Sequence, residues 1–218
     1  MEIAGFFPMW GELTESERSL LSASAARRRA EAGTVIHGGG ADCTGLLLVA
    51  SGRLRAYMLS DEGREITLYR LFEGDVCLLS AACALSGLQL EVMVEAERDT
   101  EFFVIPADVY RRAMAESAPL ANFTNALMAA RFSDVMWLLE QLLWKSMDRR
   151  LAAFLLEEAA VEGTDTLRLT HERIAAHLGT AREVVTRLLR YFQGEGLVKL
   201  GRGSVELTDR RALAKLAA

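Results

Sequence analysis

The segment from Leu169 to Leu207 constrains the fold of this chain more than any other stretch. It contains two runs of helical periodicity around a Gly, followed by two short apolar runs around a Gly-rich tip. A helix-turn-helix needs a small residue at the helix crossing, a Gly at the turn and an apolar anchor in the second helix. Ala175, Gly179 and Val185 meet these needs. The segment therefore predicts a helix-turn-helix followed by a β-hairpin.

One side of the predicted second helix carries residues that suit DNA recognition. Arg can donate two hydrogen bonds to guanine O6 and N7, and Glu can accept one from cytosine N4. Thr180 is the expected N-cap, with Glu183 completing a capping box. The alternative is a solvated, arginine-rich surface, with ordinary surface charges on the hairpin. We predict base readout by Arg182, Glu183, Thr186 and Arg187, and contacts to the DNA backbone by Thr170, Arg190, Lys199 and Arg202.

The charge distribution supports this hypothesis although the net charge of the chain is −5. Residues 1–147 hold 13 basic and 20 acidic residues, whereas residues 148–218 hold 12 and 10. Between Arg168 and Arg202 there are seven basic and three acidic residues. The positive potential that phosphates require is thus concentrated on the predicted helix-turn-helix.

Residues 30–105 predict many short antiparallel strands separated by glycines. The expected strands are Thr34–Ile36, Leu46–Val49, Leu54–Leu59, Ile66–Leu71, Val92–Val94 and Phe102–Ile105, with a hairpin loop at Ser60–Arg64. The regular spacing of glycines between these strands favours a barrel or roll over a linker.

A long helix is predicted from Pro119 to about Ser146, and it is apolar around most of its circumference. Such a helix must be covered on two sides, which favours pairing with the same helix of a second subunit. The alternative is a core helix of a monomer. The predicted dimer interface comprises Phe123, Leu127, Ala130, Asp134, Trp137, Leu138, Gln141 and Trp144.

The predicted second helix and the hairpin resemble those of the family of the cyclic-AMP receptor protein and the fumarate-nitrate regulator. The resemblance is carried by the pairs Arg182-Glu183 and Thr186-Arg187, followed by leucines, Phe192 and the hairpin. The turn at Asp61–Gly63 and the stretch Phe72–Asp75 extend the resemblance upstream. Thr186 departs from the serine that is usual in the second branch.

This resemblance implies an α+β fold with an antiparallel, cyclic-nucleotide-binding-like β-roll (a jelly roll), a long dimerisation helix and a C-terminal winged helix-turn-helix. The corresponding domains are residues 1–117, 118–147 and 148–218. The resemblance also implies a homodimer that binds double-stranded DNA, responds to a small-molecule effector, and contacts RNA polymerase through the loop at residues 161–166.

The effector-binding part of the family pattern is missing. Cyclic-nucleotide binders carry an Arg for the cyclic phosphate, but residues 76–90 contain neither Arg nor Lys, which argues against cyclic AMP. A haem or thiol sensor using Cys77 or Cys83, with His37 as a second ligand, stays open, as does an apolar or aromatic effector or none at all. The expected pocket comprises Leu68, Asp75, Cys77, Leu78, Leu79, Ser80, Cys83 and Trp137.

Other classes of protein find less support in the sequence. The three cysteines, Cys43, Cys77 and Cys83, have no CxxC spacing, and none lies near the start of the chain where the iron–sulfur branch has its cluster ligands. No catalytic triad, HExxH motif or P-loop is present, so an enzyme on a small barrel is not expected. A ligand-binding protein with vestigial DNA binding is the other alternative. Without a long apolar run or a basic leader, we expect a cytoplasmic protein with no membrane contact. From the cysteine spacing we expect no bound metal apart from the iron of the haem alternative.

Overall fold

The computed structural model describes residues 2–39, 44–80 and 91–218, which divide into two compact units. The first unit comprises Met1–Leu59 and Leu68–Val135, and the second comprises Ser60–Thr67 and Met136–Ala218. None of the helices described combines the length and the apolar character needed to cross a bilayer.

The first unit is built around a β-roll with helices on either side of it in sequence. Two short 3-10 turns at Ile3–Phe6 and Trp10–Glu12 come first. The elements that follow are α1 (Glu15–Ser24), β1 (Ala26–Ala30), β2 (Val35–His37), β3 (Leu46–Ser51), β4 (Leu54–Leu59), β5 (Glu65–Leu71), β6 (Val76–Cys77), β7 (Met93–Ala96), β8 (Thr100–Ile105), α2 (Ala107–Glu116) and α3 (Ala118–Trp144). The first residues of β5 and the last residues of α3 belong to the second unit.

The roll consists of two four-stranded sheets, in the orders β1-β8-β3-β6 and β2-β7-β4-β5. Alternate residues of facing strands meet between the sheets, where Leu47 and Val49 of β3 join Leu54 and Ala56 of β4. The other side of β3 packs on the N-terminal aromatic residues and on α2 and α3. Because β3 is buried on both faces, its sequence is a continuous apolar run rather than an alternating one.

The strand β1 was not predicted, because its sequence Ala-Arg-Arg-Arg-Ala lacks the β-branched and aromatic residues typical of strands. It forms an edge of its sheet and pairs antiparallel with β8. Arg27 and Arg29 both form ion pairs with Glu101 of β8. Cationic side chains on an edge strand discourage unwanted pairing with other chains, so the tertiary position accounts for the composition.

The second unit contains α4 (Met147–Glu162), α5 (His171–Leu178), α6 (Arg182–Gly194) and α7 (Arg210–Ala217). Its three-stranded antiparallel sheet consists of β9 (Thr166–Leu167), β10 (Val198–Gly201) and β11 (Ser204–Leu207), in the order β10-β11-β9. The predicted fold class is therefore confirmed: an antiparallel roll, a long helix and a C-terminal helix-turn-helix with a hairpin.

Gly52, in the turn between β3 and β4, provides a test of the roll. Its φ is +89°, and an added Cβ would lie 2.3 Å from the carbonyl oxygen of Asp99. Gly63 has a similar φ of +77° but nothing within 4 Å of an added Cβ. We expect Gly52→Ala to lower the free energy of unfolding by about 3 kcal/mol or more, and Gly63→Ala by only about 1 kcal/mol. Urea unfolding followed by circular dichroism measures both values, and equal losses would contradict the close approach at Gly52.

Candidate nucleic-acid interface

The helix pair α5–α6 is set by local signals at each end of α5. Thr170 is the N-cap, and its Oγ1 accepts a hydrogen bond from the Arg173 amide at 3.1 Å. Gly179 ends α5 in the left-handed conformation with φ +68°, and its amide donates to the Ala175 carbonyl. A residue with a Cβ is strained there, so the Gly predicted for the turn is required by the backbone.

The buried side of α6 holds the helix pair in place. Val185, Leu189 and Phe192 are completely buried in one cluster with Ile174 of α5 and Leu155 of α4. The same cluster includes residues of the hairpin β10–β11. Each large apolar side chain buried in this way contributes about 1.5–3 kcal/mol, so the core determines which side of α6 faces outward.

The outward side of α6 gathers the predicted DNA-contacting residues of that helix into one shallow, open depression. Arg182, Glu183, Thr186, Arg187 and Arg190 line it together. Three guanidinium groups and one carboxylate on a single helix face offer donors for guanine and phosphate and an acceptor for cytosine. Arg182 also lies 3.9 Å from the Glu172 carboxylate on α5, in an exposed ion pair.

The predicted N-cap of α6 is wrong. Ala181 occupies the cap position and makes no side-chain cap hydrogen bond. The amide of Thr180 donates instead to the Ala175 carbonyl at 3.1 Å, which makes Thr180 part of the turn that closes α5. Glu183 therefore lies in the first turn of α6 without a capping box. Its negative charge there still interacts favourably with the helix dipole.

The hairpin residues predicted to contact phosphates lie apart from the α6 depression. Arg202 is exposed at the tip between β10 and β11. Lys199 of β10 is 3.8 Å from the carboxylate of Glu206 on β11. The exposed Thr170 lies at the start of α5.

His171 is a residue of this surface that the sequence analysis missed. Its Nδ1 lies 2.9 Å from Thr186 Oγ1, and that hydroxyl lies 2.9 Å from the Arg182 carbonyl oxygen. Burial, with Arg182 and Arg190 nearby, lowers the pKa of His171 below its usual 6.5. The only signal in the sequence was its place as the first residue of the helix that precedes α6.

Residues Ser60–Thr67 also reach the helix-turn-helix within the second unit. Ile66 forms an isolated antiparallel bridge with Leu178, and its side chain would be 2.9 Å from a Cβ at position 179. Thr67 Oγ1 lies 2.8 Å from His177 Nδ1, and His177 is buried. Sequence reasoning missed this contact because it joins residues 110 positions apart.

The residues expected to line an effector pocket do not share one environment. Cys77 and Leu79 are buried between the sheets of the roll, with Leu68 packed against them, whereas Leu78 packs in the aromatic cluster with Phe6. Ser80 Oγ donates a hydrogen bond to the Gly45 carbonyl at 2.7 Å, and the Asp75 carboxylate accepts one from the Phe72 amide at 2.8 Å. Trp137 belongs to the second unit and is 57% exposed. Cys83 and Cys43 lie outside the described residues.

Three other features bear on the roll as a sensor. His37 is buried and lies 3.0 Å from Thr44 Oγ1 through its Nδ1. Within residues 2–39, 44–80 and 91–218, no group of three or more His, Cys, Asp or Glu side chains is arranged to hold a metal ion. Tyr69 lies 4.0 Å from Cys77 Sγ, and burial raises the pKa of Tyr69 well above its usual value.

The predicted dimer residues fall into three groups along α3. Phe123 and Leu127 pack on the N-terminal aromatic cluster of their own chain. Ala130, Trp137 and Trp144 are exposed. Asp134, Leu138 and Gln141 are partly buried, with Asp134 in an ion pair with Arg131 at 2.8 Å. The helix also exposes apolar residues that the prediction left out, namely Phe132, Val135, Met136, Leu139, Leu142 and Leu143.

Comparison with known proteins places these features in a family. Residues 149–216 match the model of the Crp-like helix-turn-helix domain, and residues 27–117 match that of the cyclic nucleotide-binding domain. The chain is 30% identical over 172 residues to the cyclic AMP receptor protein of Thermus thermophilus, covering 79% of each chain. It is 27% identical over 214 residues to the fumarate and nitrate reduction regulatory protein of Yersinia pestis, covering 94% of this chain and 84% of that one.

A crystal structure described as a transcriptional regulator of the crp/fnr family from Eubacterium rectale superimposes on this one with a TM-score of 0.95. The two chains are 57% identical, and the match covers 97% of this chain and 98% of that one. With a helix-turn-helix, a nucleotide-binding-type roll and relatives of this kind, the chain belongs to the Crp/Fnr family of DNA-binding transcription regulators.

Proposed function

We propose that this chain acts in the bacterial cytoplasm as an effector-responsive homodimer that reads a two-fold symmetric DNA operator. The observation that carries the proposal is the two-sided character of α6. Val185, Leu189 and Phe192 are completely buried, while the opposite side gathers arginines, Glu183 and Thr186 into one open depression. This role is regulatory rather than enzymatic.

The proposed contacts follow from the donor and acceptor chemistry of the exposed side chains. Arg182 and Arg187 donate to guanine, Glu183 accepts from cytosine, and Thr186 adds a hydroxyl contact to a base edge. Thr170, Arg190, Lys199 and Arg202 contact phosphates and set the register of the protein on the duplex. A central G·C pair read by Glu183 and Arg187 is expected in each half-site.

The proposed partner for the exposed part of α3 is a second copy of this chain. Leu143 and Trp144 are 63% and 79% exposed, and six further large apolar residues between Phe132 and Leu142 are also exposed. A contiguous stripe of exposed large apolar side chains on one helix marks an interaction site. Pairing α3 with its equivalent covers the stripe, and an effector that alters the helix packing would adjust the spacing of the two α6 helices to about 34 Å, one turn of DNA.

We further propose that residues 1–117 sense the effector, residues 118–147 dimerise and residues 148–218 bind DNA. Residues 161–166, which were expected to be a loop, hold the end of α4, a turn at 163–165 and the start of β9, and we propose that this segment is available to RNA polymerase. Cyclic AMP is not the proposed effector. The segment from 76 to 90 lacks a cation, and the two buried arginines of the roll form ion pairs with glutamates, although Arg53 shares its glutamate with Arg70. Arg55 lies 3.1 Å from Glu95, and Arg53 lies 3.6 Å from Glu97.

The first test is operator selection from a random duplex library, followed by fluorescence anisotropy with the selected site. Arg187→Ala should cost about 1–3 kcal/mol on the selected operator and little on a duplex changed at the base pair that Arg187 reads. Arg202→Ala is the matched control, because a lost phosphate contact weakens all sequences alike and lowers the salt slope by about one. An equal loss on every sequence for Arg187→Ala would assign it to the DNA backbone instead.

The dimer is tested by sedimentation. Leu143→Glu puts a charge into the proposed interface, and we expect it to convert a dimer into a monomer and to weaken operator binding by at least tenfold, since one half-site remains per molecule. Glu140→Gln, an exposed polar change on the same helix, should leave the dimer intact. A dimer of unchanged stability in the Leu143→Glu protein would contradict this interface.

The effector proposal predicts that cyclic AMP neither raises the melting temperature by more than about 1 °C at millimolar concentration nor changes operator affinity. Thermal unfolding with and without the nucleotide measures the first quantity, and anisotropy measures the second. A saturable rise of several degrees would show that the roll supplies a phosphate partner other than the missing arginine.

A further inference from the structure

The contact between His171 and Thr186 has a definite direction. Thr186 Oγ1 lies within hydrogen-bond distance of both His171 Nδ1 and the Arg182 carbonyl oxygen, at 2.9 Å each. A hydroxyl has one proton, and a carbonyl can only accept. Both bonds form together only when Thr186 donates to the carbonyl and His171 donates its Nδ1–H to Thr186. The neutral ring is therefore the Nδ1–H tautomer, and Nε2 is the atom that takes up a proton.

This hydrogen bond restrains a side chain that the proposed function assigns to base readout. With its proton directed to the Arg182 carbonyl, the Thr186 hydroxyl is held in one rotamer by two partners, one on α5 and one on its own helix. A side chain whose rotamer is already selected loses less conformational entropy when it binds. His171 is thus suited to act as a positioning residue for Thr186.

The charges around His171 favour its neutral form in the free protein. Burial lowers its pKa, and Arg182 and Arg190 of α6 lower it further. Glu172 of α5, which pairs with Arg182, and Glu183 in the first turn of α6 are the acidic groups of the same surface. DNA phosphates arriving at this surface would neutralise the arginines and reverse the local potential.

We propose that His171 positions the Thr186 hydroxyl and couples DNA binding to the uptake of one proton at Nε2. The inference rests on the proposed function of α6 as the recognition helix. Because the phosphates favour the imidazolium, the complex holds on to the proton up to a higher pH than the free protein does. In that interval the complex binds more protons than the free protein, so affinity rises as the pH falls. Above and below the interval the titration of His171 no longer changes the affinity with pH, and the gain reached at the acid end is kept at lower pH.

The decisive variant is His171→Asn. The Asn amide nitrogen takes the place of Nδ1 and donates to Thr186, but it does not titrate. His171→Ala removes both the donor and the titration. Measurements use anisotropy with two labelled duplexes of about 30 bp, the selected operator and a random sequence, at constant ionic strength between about pH 5.5 and pH 8.

For the wild-type protein we expect affinity for both duplexes to rise roughly three- to tenfold from the alkaline to the acid end of this range. His171→Asn should lose most of this pH dependence while keeping its preference for the operator. His171→Ala should lose the pH dependence and also bind the operator a few-fold less selectively. His37 and His177 remain in all three proteins, so their titration cancels in the comparison.

A pH dependence in His171→Asn as steep as that of the wild type would overturn the inference, as would affinity that falls with acidity. Histidine NMR gives an independent reading: the His171 resonance, identified by its loss in His171→Asn, should titrate at higher pH in the complex than in the free protein. An unchanged pKa would also refute the coupling. If the wild-type protein binds neither duplex at any pH, the proposed function itself fails, which is a distinct result.

Discussion

The burial of one side of α6 is the interaction on which the DNA-binding surface depends. The side chains of Val185, Leu189 and Phe192 are completely buried. They pack in the core of the second unit with Ile174 and Leu155. Rotating α6 about its axis would expose these side chains and cost several kcal/mol. The arginines are therefore presented outward because of what the opposite side of the helix buries, and their own contacts are few and exposed.

The turn between α5 and α6 has a second constraint that explains its composition. Gly179 adopts a left-handed conformation, and Ile66 packs where a Cβ would otherwise lie. The helix-turn-helix motif accounts for the first requirement, whereas the second comes from the segment Ser60–Thr67. The partly buried hydrogen bond between Thr67 and His177 belongs to the same contact. A change at position 179 would thus strain the backbone and displace Ile66.

The roll illustrates how far the alternation of inward- and outward-facing residues along a strand predicts packing. The strand Leu54–Leu59 was predicted with its observed ends, and its inward residues Leu54 and Ala56 join the core between the sheets. Alternation also places Arg55 on the other face, but it does not reveal that this arginine is completely buried. Arg55 lies 3.1 Å from Glu95 and 4.4 Å from the centre of the Tyr57 ring. The carboxylate partner is needed because an unpaired buried charge would cost several kcal/mol.

The sequence by itself determined the elements whose signals are local: the apolar periodicity of α5 and α6, the Gly at their turn, the Gly-rich tip of the hairpin and the long apolar helix. It also assigned the α6 residues that line the depression, because their spacing alone places them on one face. Tertiary structure decided the rest. The edge strand β1, the cap at Ala181 and the pairing of His171 with Thr186 depend on which groups meet after folding. Hydrogen bonds and ion pairs act over a few ångströms in space, and that distance bears no fixed relation to separation along the chain.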